Sequence, residues 1–475
     1  MLYWLIALFH LIIMPVAAVH ALTCKRDNKA ALGWIGVIFL FPVAGPLLYY
    51  IFGINRLRAK AKLFTGRRFP EGRFGYERAT RAPSTAPDPL SRELPRPHLA
   101  VVGGRATGSP LLAGNHFTPL INGEDFFPRL LEAIEKAEYS VVLSSYLFSD
   151  RGVGGEVIAA LARAADRGLP VYVLLDGVGT WYSLRRSVRA LRRTKVHLAL
   201  FTPPALIPPS LDINMRNHRK IAVIDDRVGF FGGINIDPRH MVDDPGNPEP
   251  TEDLHFLARG PVVAELRRLF ERDWQLVTKR PIDLPEQSTP PEGNTLCRVI
   301  DDGPHDNLNH LSMTLTGVFC AARERIVLMT PYFLPNHEMV SALQAAALRG
   351  VRVQVVIPEK SNLRFVDWAT RNMLWELVLW DIEVYAKPPH FAHTKLVVVD
   401  DHYVMAGSAN LDARSLRLNF ELGVEIFDAE LASHMRAHIE RAIAESHRLT
   451  LNELDGRPFW QRVRDAFFWL FSSYL

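Results

Sequence analysis

The sequence predicts an α/β protein made of two similar α/β lobes with flanking helices, preceded by an N-terminal hydrophobic helical hairpin. Three observations carry that expectation. The stretch from Asn217 to Asp237 returns without a gap as Ala392 to Asp412, so that His218 meets His393, Lys220 meets Lys395, Asp225 meets Asp400, Gly232 meets Gly407, Asn235 meets Asn410 and Asp237 meets Asp412. The strand and helix patterns ahead of each copy recur as well. Two long apolar segments open the chain.

Taken in order, residues 1–22 are apolar apart from two histidines, and residues 30–54 carry no charge, so each is long enough to cross a bilayer. The first lacks a basic start and a small-residue cleavage site, which favours a retained hairpin (1–63) over a removed signal peptide. Its connecting loop holds Lys25, Arg26 and Lys29, while Arg56, Arg58, Lys60, Lys62, Arg67, Arg68 and Arg73 follow the second segment. By the positive-inside rule that following segment, and the catalytic part behind it, face the cytoplasm. Prolines 42 and 46 with Gly33, Gly36 and Gly45 allow either a kinked span or a re-entrant turn. Residues 64–99 are rich in Pro, Arg, Gly and Ser and read as the body of a linker over 64–115 that runs along an anionic membrane surface.

From about 116 strands alternate with helices. Tyr139 to Phe148 reads as a strand, Val153 to Arg167 as an Ala-rich helix ended by Gly168, and Pro170 to Leu175 as a buried strand. In the second half, Arg325 to Phe333 answers Ser140 to Phe148, and the run from Ala342 answers that from Ala160. The lobes are therefore expected at 116–285 and 286–475, parted where Pro281, Pro285, Pro290 and Pro291 interrupt the pattern. Mixed sheets flanked by helices follow, with the lobes facing each other across one central cleft. The closing stretch from Arg457 is aromatic, with Arg457, Arg462 and Arg464 near its start, which suits an interfacial helix at headgroup level.

The repeated stretch has a chemical reading. Lys-Ile-Ala-Val-Ile and Lys-Leu-Val-Val-Val are buried-strand compositions, and His and Lys two residues apart on a strand point to one face. That face offers one imidazole and one ammonium to one phosphate. Asp225 and Asp400 turn the chain at the strand end. A second apolar run ends at Gly232-Gly233 or Gly407-Ser408, small residues that allow close backbone approach, and Asn235 or Asn410 follows with an amide able to donate to an anion. A phosphodiester needs a nucleophile, a proton for its leaving oxygen and fixed donors for its equatorial oxygens. Two His, two Lys and two Asn supply all three without a metal or cofactor. Spacing leaves open which histidine is the nucleophile.

At these residues the sequence resembles the phospholipase D superfamily, whose hallmark is a twice-repeated His-x-Lys-x4-Asp followed by Gly-Gly/Ser-x-Asn. Arg216 to Lys220, Asp253 to His255, Thr330 to Pro335, and Gly407 to Ser415 with Asn419 and Glu421 behind it narrow the resemblance to the bacterial cardiolipin synthase branch. The resemblance implies a phospholipase D-like fold and catalytic sets His218, Lys220, Asp225 and His393, Lys395, Asp400. It implies that His218 attacks phosphorus to form a phosphatidyl-histidine and that His393 serves as acid and then base. Lys220, Lys395, Asn235 and Asn410 would hold the phosphate. Asp253 and Glu421 stand where related enzymes carry carboxylates that orient an imidazole. The implied substrate is phosphatidylglycerol in the lipid bilayer of the bacterial cytoplasmic membrane, where the protein would be multi-pass. Relatives often show Leu where Ala392 stands and Gly where Asp226 stands; neither departure touches a catalytic residue.

Composition agrees. A net charge of +4 over 475 residues demands no nucleic-acid partner. Cys24, Cys297 and Cys320 are too few and too scattered for a disulfide framework or a zinc site. The remaining readings are a phosphodiester hydrolase or nuclease, a synthase using another lipid or alcohol, and a non-catalytic membrane scaffold, which two intact His-x-Lys pairs argue against.

Overall fold

The computed structural model describes residues 9–25, 28–41, 43–53, 88–201, 215–282, 284, 287–304 and 309–472. It comprises two compact units, Met1–Phe69 and Pro70–Leu475.

In the first unit a wide turn at Phe9–Ile13 runs into a helix at Met14–Cys24, and a second helix spans Asn28–Leu40. The 30–54 segment, expected as one long helix or a re-entrant turn, turns back. Its helix ends at Leu40, and a short helix at Ala44–Leu48 returns against it. A Cβ on Gly45 would stand 2.3 Å from the Val37 carbonyl, so only glycine allows that approach. Tyr49 lies edge-on to Trp34 at 5.4 Å, and its hydroxyl meets His20 Nδ1 at 2.7 Å. Among the described residues no helix is long and apolar enough to cross a membrane. Leu11, Ile12, Val16, Val19, Leu22, Leu32, Phe39 and Leu40 nevertheless remain exposed. The basic residues from Arg56 to Arg73 lie outside the described residues.

The second unit is organised by one sheet. Its first-half strands are β1 (Leu112–Ile121), β2 (Val141–Ser145), β3 (Val171–Asp176), β4 (His197–Phe201), β5 (Ile221–Ile224), β6 (Val228–Gly232) and β7 (Leu254–Arg259). The second half supplies β8 (Thr295–Asp302), β9 (Arg325–Met329), β10 (Arg352–Pro358), β11 (Glu383–Lys387), β12 (Leu396–Val399), β13 (Tyr403–Gly407), β14 (Glu421–Phe427) and β15 (His447–Arg448). Their order is β15-β11-β10-β9-β12-β13-β14-β8-β1-β7-β6-β5-β2-β3-β4. Apart from β15 the order is a palindrome, the topological mark of duplication. The two mixed sheets expected from sequence are thus one, fused where β1 pairs antiparallel with β8.

Each half has its own apolar core. Leu143, Val157, Leu161, Val173 and Phe230 belong to the first, and Leu328, Val340, Leu343, Val355 and Val399 to the second. Residues 64–87 of the linker lie outside the described residues. Its last part is built into the fold: the helix Pro97–Thr107 lays Leu99 and Ala100 in the second core, and β1 starts at Leu112. There Arg298 and Glu425, both fully buried, pair at 2.6 Å, and a Cβ on Gly103 would strike them.

The two motif aspartates sit behind the site and not in it. Asp225 (φ 54°) and Asp226 (φ 53°) form the β5–β6 turn, a backbone that glycine favours. Asp226 is held there by Arg267 and the Gln287 N–H. The Asp225 carboxylate accepts the N–H groups of Glu138, Tyr139 and Ser140 at 2.7–2.8 Å. Asp400 (φ 52°) repeats this with Arg323, Glu324 and Arg325 and adds Arg96. Their place in the catalytic sets is corrected accordingly: they fix strand register. Asp225→Ala is expected to lower stability by about 2–4 kcal/mol through stranded N–H groups, read as a lowered Tm. Turnover per folded molecule should stay near that of the parent, and its loss at unchanged Tm would restore a catalytic role.

Candidate active site

Strand alternation and the hairpin turns bring both His-Lys pairs to the seam between the halves. His218 N–H donates to the Phe420 carbonyl at 3.0 Å, and Phe420 N–H donates to Arg216 at 2.8 Å. On the other side Phe391 and Ala392 pair with Thr251 and Glu252, and His393 N–H donates to Glu252 at 2.7 Å. Each histidine is therefore anchored on backbone that leads directly into the opposite half's carboxylate.

The side chains cross in the same way. His218 Nδ1 lies 3.0 and 3.1 Å from the two Glu421 oxygens and 3.1 Å from the Ser408 carbonyl. His393 Nδ1 lies 2.6 Å from Asp253 Oδ2. Carboxylate acceptors hold the proton on Nδ1 of both rings and leave Nε2 to the site, at His393 against the Lys395 ammonium, whose Nζ also approaches Nδ1, at 2.8 Å. Asp253, Glu421, Lys220 and Lys395 are all buried.

Small residues permit this closeness. A Cβ on Gly233 would fall 2.2 Å from the Asp253 carboxylate, and one on Gly407 would fall 2.0 Å from the Leu422 carbonyl. Gly232 takes φ 153° with its missing Cβ against Leu254. Ser408 Oγ donates to Glu421 at 2.5 Å and accepts from Leu422 N–H. Asn235 gives its carbonyl end to Leu147 N–H at 3.1 Å, which leaves the NH2 as its donating end. Asn410 contacts Ser415 Oγ at 3.2 Å, while its buried Oδ1 has no partner among the described residues. Turning that amide over gives Oδ1 the Ser415 hydroxyl and frees the NH2, as in Asn235.

Lys220 Nζ bonds the His218 carbonyl at 2.6 Å, and Lys395 Nζ bonds the His393 carbonyl and lies 3.7 Å from Asp253. Burial lowers Lys220 to about 7 and Lys395 to about 8, against the pull of Glu421 and Asp253. Burial, then Lys395, lowers His393 to about 3. Burial also lowers His218, opposed by Glu421. Burial alone would raise Asp253, but Lys395 and His393 outweigh it and hold the carboxylate low. A phosphate anion between these groups would favour their charged forms.

Binding of a phosphodiester is therefore pH-dependent. As pH rises through about 7 to 8, the free enzyme's lysines lose their protons and phosphate affinity falls. kcat/KM should therefore decline over that window while the decline in kcat lies at higher pH, since bound phosphate favours the ammonium forms. Superimposed profiles would contradict this.

Two tyrosines and a third histidine complete the surroundings of the two rings. Tyr146 stands edge-on to His218 at 5.0 Å with Lys220 over its ring at 5.6 Å, and Tyr332 stands edge-on to His393 at 6.4 Å. Their near-matching places after β2 and β9 were the available signal. His240 Nε2 accepts from Asn235 N–H at 3.3 Å, and its Nδ1 lies 3.1 Å from the carbonyl of Thr251, the partner of Phe391. It links the first half's phosphate loop to the backbone that carries His393. His240→Ala is expected to lower kcat by about tenfold, with KM little changed; an effect on KM alone would assign it to binding.

Two imidazoles, His218 buried and His393 partly so, each set by a carboxylate from the other half beside a lysine and an asparagine, define a phospholipase D-like protein. The family described as "Cardiolipin synthase, PLD-like domain" matches residues 130–274 and 316–443, and the chain belongs to it. A family described as "Phospholipase D-nuclease N-terminal" matches residues 2–53. The major cardiolipin synthase ClsA of Bacillus subtilis is 29% identical, covering 99% of both chains. Cardiolipin synthase A of Pseudomonas aeruginosa is 32% identical over 92% of this chain and 88% of that protein. A crystal structure of the phosphatidylserine synthase of Haemophilus influenzae shares the fold, with a TM-score of 0.57 at 16% identity, over 78% of this chain and all of that one.

Proposed function

We propose that the protein is a membrane-bound cardiolipin synthase that condenses two phosphatidylglycerol molecules into cardiolipin and glycerol. The observation that carries the chemistry is the crossed pairing of His218 with Glu421 and His393 with Asp253. The lipid identity rests on the named relatives. His218 Nε2 attacks phosphorus, the bond to the departing glycerol oxygen breaks, and His393 Nε2–H protonates that oxygen. His393 then takes the proton of the second lipid's glycerol hydroxyl, whose oxygen attacks phosphorus and breaks the phosphorus–nitrogen bond. Lys220, Lys395, Asn235 and Asn410 hold the equatorial oxygens through both steps. Binding the phosphodiester supplies the negative charge that lets His393 carry its proton.

The apolar outer faces of the first unit support its insertion into the cytoplasmic membrane as a hairpin with a returning segment. The basic run from Arg56 to Arg73 supports a cytoplasmic catalytic unit. The deciding experiment incubates the protein, reconstituted in phosphatidylglycerol vesicles with chelator, and resolves the products. Cardiolipin with equal release of glycerol is expected. Phosphatidic acid alone would make the protein a hydrolase, and no product would rule out phosphatidylglycerol as the donor.

A further inference from the structure

The mouth of the site carries apolar side chains that the chemistry above does not use. In the first half, β3 leads into a tight turn in which Leu184 and Arg185 both take positive φ (50° and 57°), a costly backbone for residues other than glycine. That turn leaves Trp181, Tyr182 and Leu184 exposed by 49, 73 and 67%. Arg185 stacks over the Trp181 ring at 5.3 Å, and Arg186 and Arg189 are exposed beside it. Gly179, two residues before Trp181, packs directly on Tyr146, where an added Cβ would stand 1.8 Å from the Tyr146 carbonyl, and the Tyr146 ring is the one edge-on to His218. The turn therefore stands beside the first half's imidazole.

The second half has a counterpart. Tyr332 donates to Asn362 at 2.6 Å, just ahead of the helix Arg364–Met373, whose first turn exposes Arg364 and Phe365. Against that helix packs the helix Phe459–Trp469, with Trp368 and Phe468 at 4.9 Å and Arg464 over Trp368 at 4.5 Å. This last helix is inside out. Asp465 is fully buried and paired with Arg457 and Arg464, while Trp460, Val463, Phe467 and Leu470 form one exposed stripe at helical spacing. A soluble surface would reverse that arrangement.

We infer that the Trp181–Arg186 turn and the Trp460–Leu470 stripe are two edges of one docking face that seats the catalytic mouth on an anionic phospholipid bilayer. Indole and phenol rings suit headgroup depth, and the exposed Arg186, Arg189, Arg364 and Arg462 complement anionic lipid. Continuity with Tyr146 and Tyr332 places the entrance between those edges. The inference rests on the lipid reading of the site and adds how the substrate arrives: both lipids pass from the bilayer to His218 and His393 without crossing water.

The test uses the full chain in vesicles of phosphatidylglycerol brominated on its acyl chains, comparing the parent with Trp181→Phe and Trp460→Phe. The emission lost in each variant, obtained as the difference from the parent, is expected to be quenched about twofold relative to unbrominated vesicles, and less so in brominated phosphatidylcholine. Difference emission that ignores bromine overturns the proposal. If it is also blue-shifted, the stripe is covered by protein, either the N-terminal unit or a second copy. Equal quenching by the two lipids overturns the anionic assignment. Quenching needs no turnover, so a failed synthase reading and a failed docking face give different results.

Discussion

Replacing His218 by asparagine is expected to remove phosphatidyl transfer by about four to six orders of magnitude, whatever the donor. His393→Asn should do as much damage with phosphatidylglycerol, but not with a donor whose leaving group departs without a proton. The two rings share a lysine two residues on, a tyrosine edge-on and a carboxylate on Nδ1, and differ in the second neighbour of Nδ1, the Ser408 carbonyl at His218 and the Lys395 ammonium at His393. Geometry alone does not tell nucleophile from acid. A phosphatidyl ester of nitrophenol does, because nitrophenolate leaves unassisted while the nucleophile is still required. The His393 variant should release one nitrophenolate per active site in a burst and then stall, for want of a base to activate the acceptor. Labelled phosphate should remain on the denatured protein under alkaline conditions, where a phosphorus–nitrogen bond survives. The His218 variant should give neither. A burst from the His218 variant and none from His393→Asn would exchange the two roles.

What the sequence shows of this site is whatever repeats. His218, Lys220, Asn235 and their mates are legible because duplication sets each beside its copy at one spacing, and the β-branched runs behind them read directly as buried strands. Asp253 and Glu421 were legible as orienting carboxylates, but their crossing was not: a carboxylate's partner depends on how the halves meet, and no local pattern encodes the β1–β8 pairing that fuses the sheets. His240 stayed hidden because its second-half counterpart is Ser415, so the repeat offers no echo of it. The helix Pro97–Thr107 was masked by its setting, since Pro, Gly and Arg dominate the linker composition while only Leu99, Ala100 and a few neighbours reach the core. The 30–54 segment shows the limit of composition in the other direction. Its apolar length suits a span, yet Gly45 lets the chain fold back on Val37, a contact decided by one missing Cβ.

That crossing makes the sharpest demand on the carboxylates. Glu421→Gln is expected to lower turnover by about 10³–10⁴ without disturbing the fold, and Asp253→Asn by a similar factor. The cause is the tautomer. An amide in place of Glu421 can donate to His218 Nδ1, which moves the ring's proton to Nε2, the atom proposed to attack phosphorus. At Asp253 the same change removes the acceptor that keeps His393 Nδ1 protonated, and it leaves Lys395 without its nearest buried counter-charge. Because each carboxylate serves the histidine of the opposite half, the phenotypes should follow the contact and not the chain. With the nitrophenyl donor, Glu421→Gln, in the second half, should lose the burst as His218→Asn does. Asp253→Asn, in the first half, should keep the burst and stall as His393→Asn does. The reverse pattern would mean that each carboxylate serves the histidine of its own half in the working enzyme, and the crossed geometry would then not be the catalytic one.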